Sequence, residues 1–389
     1  MHFLNSEERR AARRKRREEV RAAKKAERNK DCTIENVASL ENLYRAAKES
    51  SRGVKWKGSV QRYLIRILRN IVKARRDVLE GNDISRGFIR FDLWERGKLR
   101  HISSVHFSER VIQKSLSQNA LVPAIAPTLI NDNSANIKGK GTDFAIMRLK
   151  RQLADHYRKH GAEGYILQID FSDYFANISH EGVKRLVERY LTDPDVIALE
   201  FAQIDAQGEV GLGLGSEPNQ ILAVAYPTTI DHFVVECCEV EAYGRYMDDS
   251  YAIHTSKEHL QVVLGAVEVK CSQLGITLNT KKTRIVKLSR GFTFLKKKFS
   301  YTETGRILVR PCRASITRER RKLKKLAALY RKGEITLEQA ERSYQSWRGS
   351  MLRLDAYRTV RSMDSLFHDL FYGQNCCVGG GVSQQTGSD

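Results

Sequence analysis

The chain has 389 residues, 41% of them hydrophobic, which supports one large multi-lobed domain or two ordinary ones and excludes global disorder. Lys and Arg number 67 against 46 Asp and Glu, a formal net charge of +21. A surplus this large points to a polyanionic partner, nucleic acid first, because each cation placed on a phosphate releases a condensed counterion. Seven cysteines without a Cys-x-x-Cys pair argue against a zinc knuckle or a disulfide framework and fit a reducing cytoplasm. No apolar run reaches the roughly eighteen residues of a membrane span, and the N-terminus is too charged for a secretory signal.

In chain order, residues 5–30 predict a helix opened by an Asn5–Glu8 capping box. Twelve Lys/Arg against five acids between Glu7 and Lys30, with Val20 the one apolar residue larger than Ala, leave it no face to bury. It is a basic arm, either solvated or ordered on RNA. From Thr33, Val37, Leu40, Leu43 and Tyr44 recur at helical spacing, so packing begins there. Residues 58–80 predict a second amphipathic helix. Residues 86–107 alternate apolar and basic side chains about Gly97 and predict a β-hairpin. A helix over 109–118, a Gly- and Lys-rich loop over 133–141 and a helix over 142–160 follow.

Residues 164–170 predict a buried strand that ends on Asp170. Helices are expected over 180–191 and 218–236, with a glycine-rich loop at 207–216 between them. Residues 240–255 read as strand, turn, strand about Met247-Asp248. A helix over 257–274 and strands over 283–288 and 292–300 come next. Residues 315–332 predict a strongly basic helix, and 336–372 one or two amphipathic helices with Tyr344, Trp347, Leu352, Tyr357, Leu366, Phe367 and Phe371 as core. The tail 373–389 is small and polar and is expected to be disordered. No internal repeat is present.

Three acids stand out by their setting. Asp170 closes an apolar strand, and Asp248 and Asp249 share a hairpin tip. Adjacent carboxylates at a tight turn repel, and divalent cations that neutralise them can also activate a 3′-hydroxyl and stabilise leaving pyrophosphate. A lone Asp-Asp dipeptide is more simply a solvated turn, so the neighbours decide. Gly244-Arg245-Tyr246-Met247-Asp248-Asp249 resembles the catalytic hairpin of reverse transcriptases, and Asp170-Phe171-Ser172-Asp173-Tyr174-Phe175 resembles their first metal-binding segment. Leu212 to Gln220 is similar to their glycine loop and following helix. Leu274 to Asn279 with Lys281-Lys282-Thr283 is similar to their fourth palm motif, and Phe292-Thr293-Phe294-Leu295 to their primer-grip hairpin. The motifs stand in family order over roughly residues 35–370, closest in style to bacterial and phage enzymes of diversity-generating retroelements and defence systems.

That resemblance implies an α+β right-hand polymerase: a basic arm at 1–32, fingers at 33–163, a palm at 164–311 with an antiparallel sheet backed by helices, an α-helical thumb at 312–372 and a tail at 373–389. It implies an RNA-directed DNA polymerase with two Mg2+ ions (Mn2+ as substitute) held by Asp170, Asp248, Asp249 and the Phe171 carbonyl. Lys282 would protonate pyrophosphate, with Lys281 as runner-up. Phe175, five positions after Asp170, would exclude a 2′-hydroxyl. Leu214 and Gly215 would lie beside the nucleotide, Arg100 and Lys140 would clamp its phosphates, Phe294 and Leu295 would grip the primer, and Arg318, Arg321, Lys322 and Lys325 would track the duplex. Asn219-Gln220 stand where many members have Ser-Pro, and Leu214 where they have Gln, an amide beside the nucleotide whose loss implies weaker base-pair discrimination.

The partners implied are an RNA template or non-coding RNA, a DNA primer or cDNA, dNTPs and a second copy or accessory protein, with no membrane. Two other readings use the same residues: a catalytically silent RNA-binding scaffold, which the intact acids argue against, and an RNA-dependent RNA polymerase, which Phe175 argues against. After the thumb 17 residues remain, too few for an RNase H domain. The biological setting stays open between mutagenic retrohoming and phage defence, with intron or retron roles behind them.

Overall fold

A computed structural model describes residues 6–95 and 98–373. Asn5 of the expected capping box, the hairpin residues Arg96 and Gly97, the Arg100 side chain and the tail beyond Gly373 lie outside the described residues. The chain forms two compact units, one of residues 1–149 with 167–285, the other of 150–166 with 286–389.

In the first unit the basic arm is a helix, Ser6–Asn29, exposed over most of its length, as its lack of an apolar face requires. Its last turn is nevertheless docked. The buried Asn29 amide donates to the Tyr190 carbonyl at 2.8 Å, and the Lys25 ammonium donates to the Glu188 carbonyl at 2.8 Å. Next comes the helix Leu40–Ser50, capped by the Ser39 hydroxyl. Val37 and Leu43 are buried as expected, but Leu40 and Tyr44 face out: the apolar stripe is narrower than the spacing implied.

The helix expected over 58–80 breaks in two. Gly58–Ile65 and Ile67–Leu79 meet at Arg66, whose ψ of 34° departs from helical geometry. The Asn70 amide bridges the break by donating to the Tyr63 carbonyl at 2.9 Å. Beyond it β1 (Phe88–Glu95) and β2 (Lys98–Val105) form the expected antiparallel ribbon. The helix Phe107–Leu116 follows.

A four-stranded sheet contains β3 (Tyr165–Asp170), β4 (Ala242–Tyr246), β5 (Asp249–His254) and β6 (Arg284–Lys287), in the order β4-β5-β3-β6. β3 and β5 lie inside the sheet and are buried almost throughout, which is why both read as apolar runs rather than clean alternations. The helix expected over 218–236 is interrupted: Glu217–Ala225 and Thr228–Cys237 flank Pro227, which has no N–H to continue the ladder. A helix at Pro194–Asp205 was not expected, although Asp193 caps it by accepting from the Asp195 and Val196 N–H groups.

The second unit holds a three-stranded antiparallel sheet, β7 (Phe292–Phe294), β8 (Lys297–Tyr301) and β9 (Ile307–Pro311), the last unforeseen. Residues 153–164 are built into this unit: the Tyr301 hydroxyl donates to the Leu153 carbonyl at 3.0 Å, and the Leu288 N–H to the Gly164 carbonyl at 2.9 Å. Three helices, Arg313–Arg331, Leu337–Met351 and Tyr357–Phe371, enclose a core of Leu323, Ala327, Tyr344, Met363, Phe367 and Phe371. Leu352 and Tyr357 were expected in that core and are 62% and 77% exposed. They fall at the turn between the last two helices, where helical periodicity no longer assigns a face.

Candidate active site

Asp170 ends β3 and is 5% exposed. The chain beyond it is gripped on two sides. On one, Asn279 donates its N–H to the Asp170 carbonyl and Ser172 donates to the Thr277 carbonyl, both at 2.8 Å. On the other, Phe171 donates its N–H to the Asp248 carbonyl at 3.2 Å. In extended backbone the N–H and C=O of one residue face the same way, so the Phe171 carbonyl is directed toward the aspartate hairpin.

That hairpin is closed by the pair Tyr246↔Asp249, which leaves Met247 and Asp248 as its two-residue tip. Met247 adopts a φ of 56°, a left-handed conformation that costs a non-glycine residue roughly 1–2 kcal/mol. Arg245 holds the tip in this shape. Its side chain is fully buried, and Nη1 donates to the Met247 carbonyl at 2.9 Å. Nη2 donates to the Val224 carbonyl at 2.6 Å and, with Nε, to the equally buried Asp231 carboxylate at 2.7–3.0 Å. The Tyr243 hydroxyl donates to the same carboxylate at 2.8 Å. Neither Arg245 nor Asp231 was singled out from the sequence. The available signal was a lone acid within the apolar stretch 221–234.

Three carboxylates therefore meet, although Asp170 and Asp248 are 78 positions apart. Burial first, then the charges of Asp248 and Asp170, push the Asp249 carboxyl well above the usual range. Lys282 answers this charge. Its ammonium donates to both Asp170 oxygens, at 2.9 and 2.8 Å, and that contact raises its own pKa. Hard oxygen donors crowded until one is driven toward protonation form a set that suits Mg2+ or Mn2+.

Phe175 is half-buried, edge-on to Tyr174 at 5.8 Å, and its carbonyl accepts the Leu212 N–H at 2.7 Å. This bond ties the segment after Asp170 to the glycine loop. Gly211 makes the approach possible: its φ is 86°, and a Cβ there would lie 2.7 Å from the Ala176 carbonyl oxygen. Leu214 is half-buried and Gly215 exposed. The loop is clamped by Gln207 and Asn219, two residues whose part was not foreseen. Gly213 donates to Gln207 Oε1 at 2.6 Å, while the Asn219 amide donates to the Gly213 carbonyl at 2.8 Å and to Gln207 Oε1 at 2.7 Å. Asn219 thus has a structural task in closing the loop.

Gly215 borders a cavity of about 410 Å³ shared with Arg110, Gln113, Lys114 and Gln220. Lys114 is held there by Glu217 at 2.9 Å. Lys140 turns back on its own loop, donating to the Asn131 carbonyl at 2.6 Å, and burial lowers its pKa. In the second unit, Phe294 is buried, and Leu295 and Lys296 take positive φ at the β7–β8 turn. Arg318, Arg321, Lys322 and Lys325 are all exposed on one helix, spaced to share a face.

A strand-end carboxylate beside a two-aspartate hairpin, in a sheet backed by helices, is the palm of a right-hand polymerase. Residues 89–301 match the family described as Reverse transcriptase (RNA-dependent DNA polymerase). The chain belongs to this family of nucleotidyltransferases, whose substrates are an RNA template, a DNA primer and dNTPs and which generally use Mg2+. Among curated proteins no match was found. No helix among the described residues is long and apolar enough to cross a membrane.

Proposed function

We propose that this reverse transcriptase extends its primer by two-metal catalysis, with Asp170, Asp248, Asp249 and the Phe171 carbonyl as ligands. The observation that carries the reading is the Phe171 N–H bond to the Asp248 carbonyl, which draws the acids of two motifs together. Bound there, the cations supply activation of the 3′-hydroxyl and neutralisation of the departing pyrophosphate. Lys282 holds a proton at Nζ next to that centre and delivers it to pyrophosphate. Phe175 packs under the sugar and rejects a 2′-hydroxyl. Leu214 and Gly215 flank the base pair. Lys140, with Arg100, contributes charge near the phosphates, and Phe294 and Leu295 seat the primer end. Arg318, Arg321, Lys322 and Lys325 follow the duplex backbone as thumb residues. Fingers over 33–163, palm over 164–311 and thumb over 312–372 divide these tasks.

The test is incorporation of dTTP against UTP on poly(rA)/oligo(dT) with Mg2+ or Mn2+. Wild type should use dTTP, Asp170→Asn and Asp248→Asn should use neither, and Phe175→Ala should admit UTP. Incorporation that survives Asp170→Asn would sink the metal assignment. We further propose that the enzyme acts with a structured RNA in a phage-defence or retroelement system, with the basic arm Ser6–Asn29 as an RNA contact. Sequencing the RNA and cDNA that co-purify with the chain identifies the system; a mixture of unrelated transcripts would dismiss a dedicated RNA.

A further inference from the structure

The helix Thr142–His160 ends inside the second unit with two histidines one turn apart, His156 and His160. Positions i and i+4 share one face of a helix, the spacing at which two imidazoles can hold one metal ion. The ring centroids are 5.1 Å apart, and a ligand nitrogen of one ring lies within 4.8 Å of a ligand nitrogen of the other. Two nitrogens each about 2.0–2.1 Å from one zinc ion stand about 3.4 Å apart. His160 is exposed and can close the difference by rotating its side chain, while the buried His156 stays in place.

An independent observation comes from the other side of the His156 ring. Nε2 lies 2.6 Å from the Glu163 carbonyl oxygen. A carbonyl only accepts, so Nε2 carries the proton and Nδ1 carries the lone pair, the tautomer selected in the same way where histidines bind metals. The ring is 2% exposed, which fixes this orientation. The helix end that carries the pair is itself held. Tyr157 packs on Tyr301 at 5.1 Å, and the Tyr301 hydroxyl donates to the Leu153 carbonyl. Gly161, at a φ of 64°, stops the helix by donating to the Tyr157 carbonyl at 2.8 Å. The carbonyls of a helix C-terminus favour a cation. Of the charges in the same turn, Arg158 is paired with Asp155, and the exposed Lys159 opposes a metal.

We propose that His156 and His160 chelate a transition-metal ion, Zn2+ first, with water completing its coordination. Imidazole suits Zn2+, Ni2+ and Cu2+ rather than Mg2+, so this site and the carboxylate cluster draw on different ions. The ion pins the end of the helix and, through the Glu163 carbonyl, the turn from which β3 starts. None of the catalytic acids takes part, so this proposal and the two-metal reading fail separately.

The experiment titrates ZnCl2 into the untagged full chain, stripped with EDTA, in millimolar Mg2+ and with accessible thiols alkylated. Melting temperature and competition with a chromophoric chelator are the readouts. At about a hundred times its dissociation constant, Zn2+ should raise the melting temperature of wild type by several degrees. His160→Ala changes an exposed residue and should keep the metal-free melting temperature, lose the Zn2+ shift and bind at least about tenfold more weakly. His156→Gln keeps a donor for the Glu163 carbonyl and should lose the shift as well. With Cu2+ as probe, electron paramagnetic resonance should show coupling to two nitrogens in wild type and to one in His160→Ala. Equal Zn2+ affinity in wild type and His160→Ala, or an unchanged Cu2+ spectrum, would overturn the proposal. Zn2+ binding that vanishes on thiol alkylation and is indifferent to both histidines would place the ion on cysteine and end it too.

Discussion

Replacing Arg245 by methionine keeps most of the side-chain volume and removes every donor of its guanidinium. Among the described residues, Asp231, with a fully buried side chain, then keeps only the Tyr243 hydroxyl as a side-chain partner at 2.8 Å. Breaking a buried ion pair from one side costs about 3–5 kcal/mol, a large part of the 5–15 kcal/mol that holds a typical domain together. Changing both residues, Arg245→Met with Asp231→Leu, leaves no unpaired charge and should restore most of that loss, since apolar replacements of buried pairs are often neutral. Activity should part from stability here. The double variant still lacks the donor to the Met247 carbonyl, so the left-handed tip loses its support and the aspartates their placement. Urea midpoints read stability, and dTTP incorporation reads the site. We expect the double variant to regain its midpoint while turnover stays at least about tenfold down, the scale seen when a supporting partner is lost around a metal. A single variant that loses less than about 1 kcal/mol, or a double variant with wild-type turnover, would refute the reasoning.

Three other outcomes follow from described contacts. Glu200 is fully buried with both oxygens unpartnered, and burial pushes its carboxyl up to about 8. The folded state therefore holds a proton that the unfolded state releases, so stability falls as pH rises from about 4.5 to about 8, by up to roughly 1.4 kcal/mol per unit. Glu200→Gln should flatten that limb of the melting curve; parallel pH profiles would dismiss the buried acid. Gly211→Ala places a methyl 2.7 Å from the Ala176 carbonyl oxygen at a φ of 86° and should cost more than about 1 kcal/mol while raising the KM for dNTP; an unchanged midpoint would show that the loop simply shifts. Leu214→Gln should lower misincorporation, and equal error rates in a fidelity assay would end that reading.

The carboxylate cluster was legible because its setting is local in sequence: a carboxylate closing an apolar strand, and two more at a tight turn. Its support was not. Arg245 and Asp231 are 14 positions apart on a strand and a helix, and nothing in either neighbourhood announces that they pair. Pro227 was a visible breaker that an apolar run over 218–236 obscured, whereas the break at Arg66 has no Pro or Gly to mark it. β9 was missed because Arg306, Arg310 and Pro311 make a short stretch read as loop, although Ile307, Val309 and Pro311 alternate as its buried positions. The Gln207–Asn219 clamp depends on a loop closing on itself, a condition that spacing does not reveal.

The segment 150–166 has a practical corollary for anyone who would cut this polymerase into parts. A chain ended near residue 285 would strand Leu153, Tyr157 and Gly164 without Tyr301 and Leu288, the neighbours they are built around. The second unit is therefore not a cassette to be trimmed away or exchanged at one junction. A chimera needs to carry both pieces, each grafted at its own splice point.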